Sequence, residues 1–195
     1  MYIRFLKVQP VNKWSQKRTT MKRYDLTAEM YEMRYAEEQA AKYKASLESL
    51  NINPDSKVLD VGCGTGLLFS KVAAEAQTVV GVDISSELLR QARERARKFR
   101  NVHLVQADAD HMPFISNNFN VVFAFTVLQN MPKPLETLGE IKRNTTRDAS
   151  VVITGLKKIF SLKAFQALLQ NAGLHVIALE GADPLKCYVA VTVQN

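Results

Sequence analysis

The chain has 195 residues, 47% hydrophobic and 23% charged, an ordinary globular balance that excludes wholesale disorder and suits one domain with a substantial core. Eight glycines and six prolines exclude collagen-like and low-complexity classes, and no apolar run approaches the roughly 18 residues of a membrane span. The net charge of +7 lies entirely in residues 1–23, which hold seven basic residues and no acid; the rest carries 19 of each sign.

The high isoelectric point therefore belongs to the amino-terminal tail and is weak support for nucleic-acid binding. Two cysteines, Cys63 and Cys187, make no disulfide framework, and nothing has zinc-ligand spacing, so no metal is expected. The chain reads as soluble and cytoplasmic.

Residues 1–20 are basic and lack periodicity, and they read as a tail. Met21 opens the expected single domain, 21–195, with a helical segment over 21–53 and a core over 54–195. The fold is expected not to depend on the tail, so a protein beginning at Met21 should fold and bind its ligand. From Thr27 to Leu50 the pattern predicts two helices with a break near Tyr35. The second places Ala40, Tyr43, Lys44, Leu47 and Leu50 on one side. Residues 51–56 read as a loop around Pro54.

Strands and helices then alternate. Strands are predicted over 57–61, 78–82, 102–106, 120–125 and 150–154. Between them, Phe69, Val72, Ala73 and Ala76 mark a helix at i, i+3, i+4 and i+7. Ser85 or Ser86 caps a second, whose outer face carries five arginines between Arg90 and Arg100. Residues 134–143 form a third. Ser161 and Gly173 bracket a fourth. The nearly all-apolar strand over 120–125 belongs in the middle of a sheet. Strands 174–180 and 187–193 are too close for a crossover and should pair antiparallel. The result is a doubly wound α/β fold with a seven-stranded sheet, mostly parallel, with one antiparallel strand near the carboxyl-terminal edge.

The most informative segment is Asp60-Val61-Gly62-Cys63-Gly64-Thr65-Gly66, which follows a strand and opens a helix. Its glycines let the backbone turn sharply and approach a ligand, although a plain tight turn reads nearly as well from the loop alone. The spacing is G-x-G-x-G. The dinucleotide pattern would put its third glycine at 67, where Leu67 stands, and no Walker lysine follows. Asp83, at the end of the second strand, can accept from both hydroxyls of a ribose or act as a helix cap. Asp108 ends the third strand and can accept from an adenine amine or close an Asx-turn. Three acids at successive strand ends converge on one crevice.

The segments VLDVGCGTGLL, VVGVDIS, ADADHMPF and VVFAFTVLQNMP together resemble the ordered motifs of class I S-adenosylmethionine-dependent methyltransferases. Within that class the chain is similar to the small single-domain branch of ubiquinone/menaquinone-biosynthesis methyltransferases, over about residues 24–193. EEQAAKY and GLKKIFS resemble an archaeal subgroup. The resemblance implies a Rossmann-like fold and S-adenosyl-L-methionine as cofactor. It also implies roles by position. Asp60, Gly62, Cys63, Gly64 and Gly66 would meet the methionine part. Asp83 would bind the ribose and Ile84 pack on the adenine. Asp108 and Ala109 would meet the adenine edge, and Phe125 and Thr126 the amino-acid end. Tyr24, Tyr31 and Arg34 of segment 21–53 would form a lid. Asn120 departs from the family, which usually carries an acid there.

Methyl transfer from a sulfonium is an in-line displacement that needs positioning and desolvation more than a nucleophile. That fits a sequence without a Ser/His/Asp or Cys/His constellation. The catalytic residue is not identified; His111, Gln129 and Asn130 are the polar candidates near the crevice. Gln129 stands where related enzymes often carry a histidine, and Cys63 reads as a packing residue. The acceptor is unidentified, with a small molecule favoured over RNA or protein. A cofactor-binding module without transferase activity is the alternative, and a nicotinamide-dependent oxidoreductase a distant third. Nucleic acid would have to use the tail or the Arg90–Arg100 helix. A small activating protein or a homodimer is compatible with the resemblance.

Overall fold

The computed structural model describes residues 12–194, apart from the side chains of residues 13 and 27–35. A long helix α1 (Lys13–Leu47) precedes β1 (Lys57–Val61), α2 (Phe69–Val72), β2 (Thr78–Asp83), α3 (Ser86–Ala96) and β3 (Val102–Gln106). Then follow β4 (Phe119–Ala124), α4 (Pro134–Asn144), β5 (Thr145–Leu156), α5 (Leu162–Asn171), β6 (Leu174–Glu180) and β7 (Cys187–Gln194). All seven strands join one sheet in the order β3-β2-β1-β4-β5-β7-β6. Strand β7 runs antiparallel to both neighbours, and every other adjacent pair is parallel. This is the expected doubly wound sheet, with β4 at its centre.

Alternation along the strands explains why the sheet is covered on both faces. Val121 and Phe123 of β4 join one apolar cluster, with Phe69, Val72 and Leu89 of the helices before β3. Val122 and Ala124 join the other, with Leu138 and Ile141 of α4 and Phe165 and Leu169 of α5. In β1 the same alternation puts Asp60 on the Val58 face, a position the pattern reserves for an apolar residue.

Local signals account for the helix ends. Ser85, not Ser86, caps α3 by accepting from the Leu88 amide at 3.1 Å. Ser161 caps α5, accepting from the Ala164 amide, and Gly173 follows at φ +68°. Helix α2 stops at Val72, shorter than expected, yet Phe69, Val72, Ala73 and Ala76 are all buried as the spacing requires. Asn120 accepts from the Lys57 amide at 2.8 Å, tying β4 to the start of β1 at the end of the sheet away from the strand tips.

The amino-terminal region departs most from expectation. Helix α1 is continuous through Tyr35, where a break was expected, and it begins at Lys13, ahead of the expected boundary after residue 20. Lys17 of the expected tail is 7% exposed and bound to the core. The buried positions of the carboxyl-terminal half are Gln39, Lys42, Tyr43 and Ser46. Ala40 and Lys44, expected on the inner side, are exposed. Hydrophobic periodicity missed this face because three of its four buried residues are polar. Residues 1–11 of the tail lie outside the described residues.

Strand order reverses between β1 and β4. The chain leaves β1 towards β2 and β3 on one side, and β4 is followed by β5 on the other. Loops from the carboxyl ends of β1 and β4 therefore diverge and leave a crevice between them.

Candidate functional site

A cleft of about 700 Å³, including its open mouth, occupies that crevice. Its walls come from four successive strand ends. Gly62 and Gly64 follow β1, Asp83 and Ile84 end β2, Asp108 and Ala109 follow β3, and Phe125 and Thr126 follow β4. Leu88, Ala107 and Met131 add apolar surface, and Lys17, Thr20 and Tyr24 of α1 close one side. A smaller adjoining cavity shares Gly62 and Phe125 with it. That cavity is lined also by Gln39, Tyr43, Asp60, Cys63, Thr65 and Leu67.

The glycine loop is built by left-handed backbone. Gly62, Gly64 and Gly66 have φ of +71°, +56° and +79°. The turn lets the Gly62 and Cys63 amides both donate to the Val82 carbonyl, at 2.7 and 2.9 Å, which pins the loop to β2. Gly64 donates to Asp83 Oδ2 at 2.9 Å, and Ser85 to Asp83 Oδ1 at 2.9 Å. Asp83 thus performs a structural task while lining the cleft. Gly66 lines neither cavity; a Cβ there would fall 2.3 Å from Phe69 Cε2, so its lack of a side chain admits that ring.

Two buried acids dominate the electrostatics. Asp60 is 3% exposed, and its carboxyl is pushed up to about 8, by burial first and by the neighbouring Asp83 second. Burial also raises Asp83, opposed by the amides of Ser85, Gly64 and Ile84 that donate to it. Burial, and then both acids, push the Cys63 thiol well up, so it is a neutral packing residue and not a nucleophile. The Thr65 hydroxyl, in the small cavity with Asp60, has no hydrogen-bond partner among the described residues.

Asp108 is held by a residue that sequence reasoning missed. Lys17 Nζ lies 2.7 Å from both its carboxylate oxygens and also contacts Asp110. The Asp110 amide donates to Asp108 Oδ1, so the Asx-turn is present as well. Farther along α1, Arg23 donates to Asn130 Oδ1, Asn130 donates to the Tyr24 hydroxyl, and Ser85 bonds Asp25. Helix α1 therefore crosses the cleft on polar contacts. The side chains of Tyr31 and Arg34 lie outside the described residues.

At the tip of β4, Thr126 has φ +62°, a left-handed conformation that costs a β-branched residue about 1–3 kcal/mol. Its carbonyl accepts from Gln129 Nε2 at 2.8 Å and Asn130 Nδ2 at 2.9 Å. Its amide donates to Thr154 Oγ1 at 2.7 Å, and its hydroxyl accepts from Lys42 Nζ at 3.0 Å. Among the three polar candidates for chemistry, Asn130 lines the cleft, Gln129 does not, and His111 is exposed and outside it. Among the described residues no cluster suits a metal ion, and no helix is long and apolar enough to cross a membrane. Sequence gave no signal for Lys17. Lys42 was visible as a charged residue beside buried Tyr43.

Residues 52–175 match a family described as a methyltransferase domain. Demethylmenaquinone methyltransferase of Staphylococcus saprophyticus is 35% identical over 103 residues, which cover 51% of this chain and 44% of that protein. The match thus spans less than half the length of the relative. Among solved structures, magnesium protoporphyrin IX methyltransferase from Synechocystis, with S-adenosylmethionine bound, superposes with a TM-score of 0.74 at 15% identity, over 92% of this chain and 97% of that one. A chain of the complex between the Haloferax volcanii Trm112 methyltransferase activator and a methyltransferase gives 0.78 at 16% identity, over 89% and 96%. At such identities these two likenesses are likenesses of fold. The family match is carried by sequence, covers more than half of the chain and takes in the strand ends after β1, β2, β3 and β4, so the chain belongs to the methyltransferase-domain family.

Proposed function

We propose that the chain is an S-adenosylmethionine-dependent methyltransferase with a small-molecule acceptor. The observation that carries this reading is the buried carboxylate of Asp83, fixed by the glycine loop and facing the cleft between β1 and β4. The residues present suit the cofactor. Asp83 is placed to accept from ribose hydroxyls, and Ile84, Leu88, Ala107 and Ala109 offer apolar surface for a purine. Asp108 offers an acceptor for its amine once Lys17 shares it. Asp60, Gly62, Cys63 and the unpartnered Thr65 hydroxyl surround the space for a cationic methionine end, and Phe125 and Thr126 its far wall. Bound there, S-adenosylmethionine would supply a methyl group already activated by its sulfonium.

What the chain's own residues do is hold and desolvate. Asp83 and the loop orient the ligand, and the apolar strand ends exclude water. Tyr24 and Asn130 present polar atoms at the mouth, where they would orient an acceptor. The name of the staphylococcal relative supports a small acceptor. So do the ion pairs Arg90–Glu87 and Arg97–Glu94, which engage part of the basic face of α3 that an RNA would use. A second reading, a cofactor-binding module that needs a partner for activity, is favoured by one observation. No histidine is among the described residues lining the cleft, and its two carboxylates are engaged, Asp83 by the glycine loop and Asp108 by Lys17.

Calorimetry with S-adenosylmethionine, S-adenosylhomocysteine and NAD tests the cofactor. The first two should bind and NAD should not; the reverse overturns the reading. Transfer of labelled methyl groups to size-fractionated cell extract tests the activity. Label in the metabolite fraction supports the enzyme, and no transfer by a cofactor-binding protein supports the module.

A further inference from the structure

Thr126 carries a left-handed backbone with all its polar atoms engaged, and three of its four holders come from its own strand end or from β5. The fourth is Lys42, 84 residues earlier, on the helix packed against the other side of that strand tip. Lys42 is 2% exposed, and its second partner is Glu38, at 2.8 Å. Burying an ammonium is unfavourable, and an apolar side chain of that length would pack α1 against the sheet at lower desolvation cost. The ammonium spans Glu38 and the Thr126 hydroxyl, and of the two only the hydroxyl lies outside α1. Downstream, the left-handed turn brings Val127 so close to the glycine loop that a Cβ on Gly62 would lie 2.7 Å from Val127 Cγ2. Thr126, Val127 and Asn130 then form one wall of the cleft.

We propose that Lys42 is a positioning residue: its buried ammonium holds Thr126 in the left-handed conformation and so sets the β4 wall of the cleft. Lys42 acts through Thr126 and does not itself line the cleft. The consequence for cofactor binding rests on the reading above; the hold on the backbone does not.

The test uses Lys42→Met, Thr126→Val, Thr126→Gly and the double variant Lys42→Met/Thr126→Gly in the full chain. Valine keeps the strained shape, removes the acceptor and leaves the Lys42–Glu38 pair intact, so it stands in if Lys42→Met folds poorly. Glycine adopts the left-handed conformation without a holder. Amide hydrogen exchange of residues 126, 130 and 131, all hydrogen-bonded here, is read without ligand. Lys42→Met and Thr126→Val should each speed that exchange by about tenfold or more, while Lys42→Met on the glycine background should add less than about twofold. Affinity for S-adenosylhomocysteine should weaken about tenfold in Lys42→Met and return towards wild type in the double variant. Equal effects of Lys42→Met on both backgrounds, or wild-type exchange in Thr126→Val, would overturn the proposal. Failure of the wild-type protein to bind S-adenosylhomocysteine would sink the cofactor reading, and the exchange pattern would still decide the role of Lys42.

Discussion

Replacing Asp60 by asparagine should stabilise the ligand-free protein, and by an amount that grows with pH. The folded protein holds the Asp60 proton up to about 8, whereas an unfolded chain releases it near the ordinary 3.8. Between those values the folded state carries a proton that the unfolded state lacks, so raising the pH favours unfolding. Each pH unit in that window is worth about 1.4 kcal/mol, giving roughly 4 kcal/mol by pH 7 and about 5–6 kcal/mol above pH 8. Asparagine keeps the shape and has nothing to ionise. Titrating groups remote from Asp60 are shared by both proteins and cancel in the difference, whereas Asp83 and Cys63, which interact with it, contribute to the gap. Urea unfolding of wild type and Asp60→Asn at pH 4.5, 6, 7.5 and 9 measures the gap directly. It should be small at the acid end, widen through the window and level off above pH 8. The same variant should bind S-adenosylmethionine more weakly, because a cationic ligand end favours the ionised carboxylate that asparagine cannot provide. A stability gap that stays flat from pH 5 to 8 would show that Asp60 ionises normally and that its burial has been misjudged.

Asp83→Ala should weaken S-adenosylmethionine at least about tenfold through lost charge-assisted hydrogen bonds, with the fold retained by circular dichroism; unchanged affinity would reduce Asp83 to a support for the glycine loop. A protein beginning at Met21 loses Lys17 and leaves Asp108 and Asp110 facing each other, so its melting temperature should fall by about 5 °C or more, and an unchanged value would refute the buried contact. That expectation replaces the one drawn from the sequence, which made residues 1–20 dispensable. Glu140 is held below the usual carboxylate range, chiefly by its hydrogen bond from Arg143. Its contribution is therefore present above the ordinary 4.5 and lost as pH falls through the lowered value, so Glu140→Gln should cost about 0.5–1 kcal/mol at pH 7, solvent screening keeping it small, and little in strong acid, read by urea unfolding at both pH values.

The strands were legible because they are short apolar runs bounded by turn residues, and the nearly all-apolar β4 marked the middle of the sheet. The antiparallel β6–β7 pair followed from a connection too short to cross over. Four of the strand ends around the cleft were likewise visible, since an acid or a glycine where an apolar strand stops is a local signal. Helix α1 was not legible in the same way. Its buried Lys17 and Lys42 take partners 91 and 84 residues away. A charged residue that is buried by a remote partner looks, in sequence, like one on a solvated face. His111 failed in the opposite direction: its place beside Asp108 in the sequence suggested the crevice, but the turn after β3 directs it outward.

One aromatic ring shapes the glycine motif more than any ligand need have done. Phe69 lies 2.3 Å from where a side chain on Gly66 would begin and 2.8 Å from where one on Gly81 would begin. Two glycines on different elements thus make room for the same ring. In a descendant that shrank residue 69, position 66 would stay glycine because its backbone is left-handed, and Cys63 Sγ and Leu104 Cδ2, at 3.0 and 3.1 Å, would still crowd a side chain at position 81. Part of the signature read as an address for a nucleoside is therefore an imprint of core packing: Gly66 lines neither cavity and makes room for Phe69.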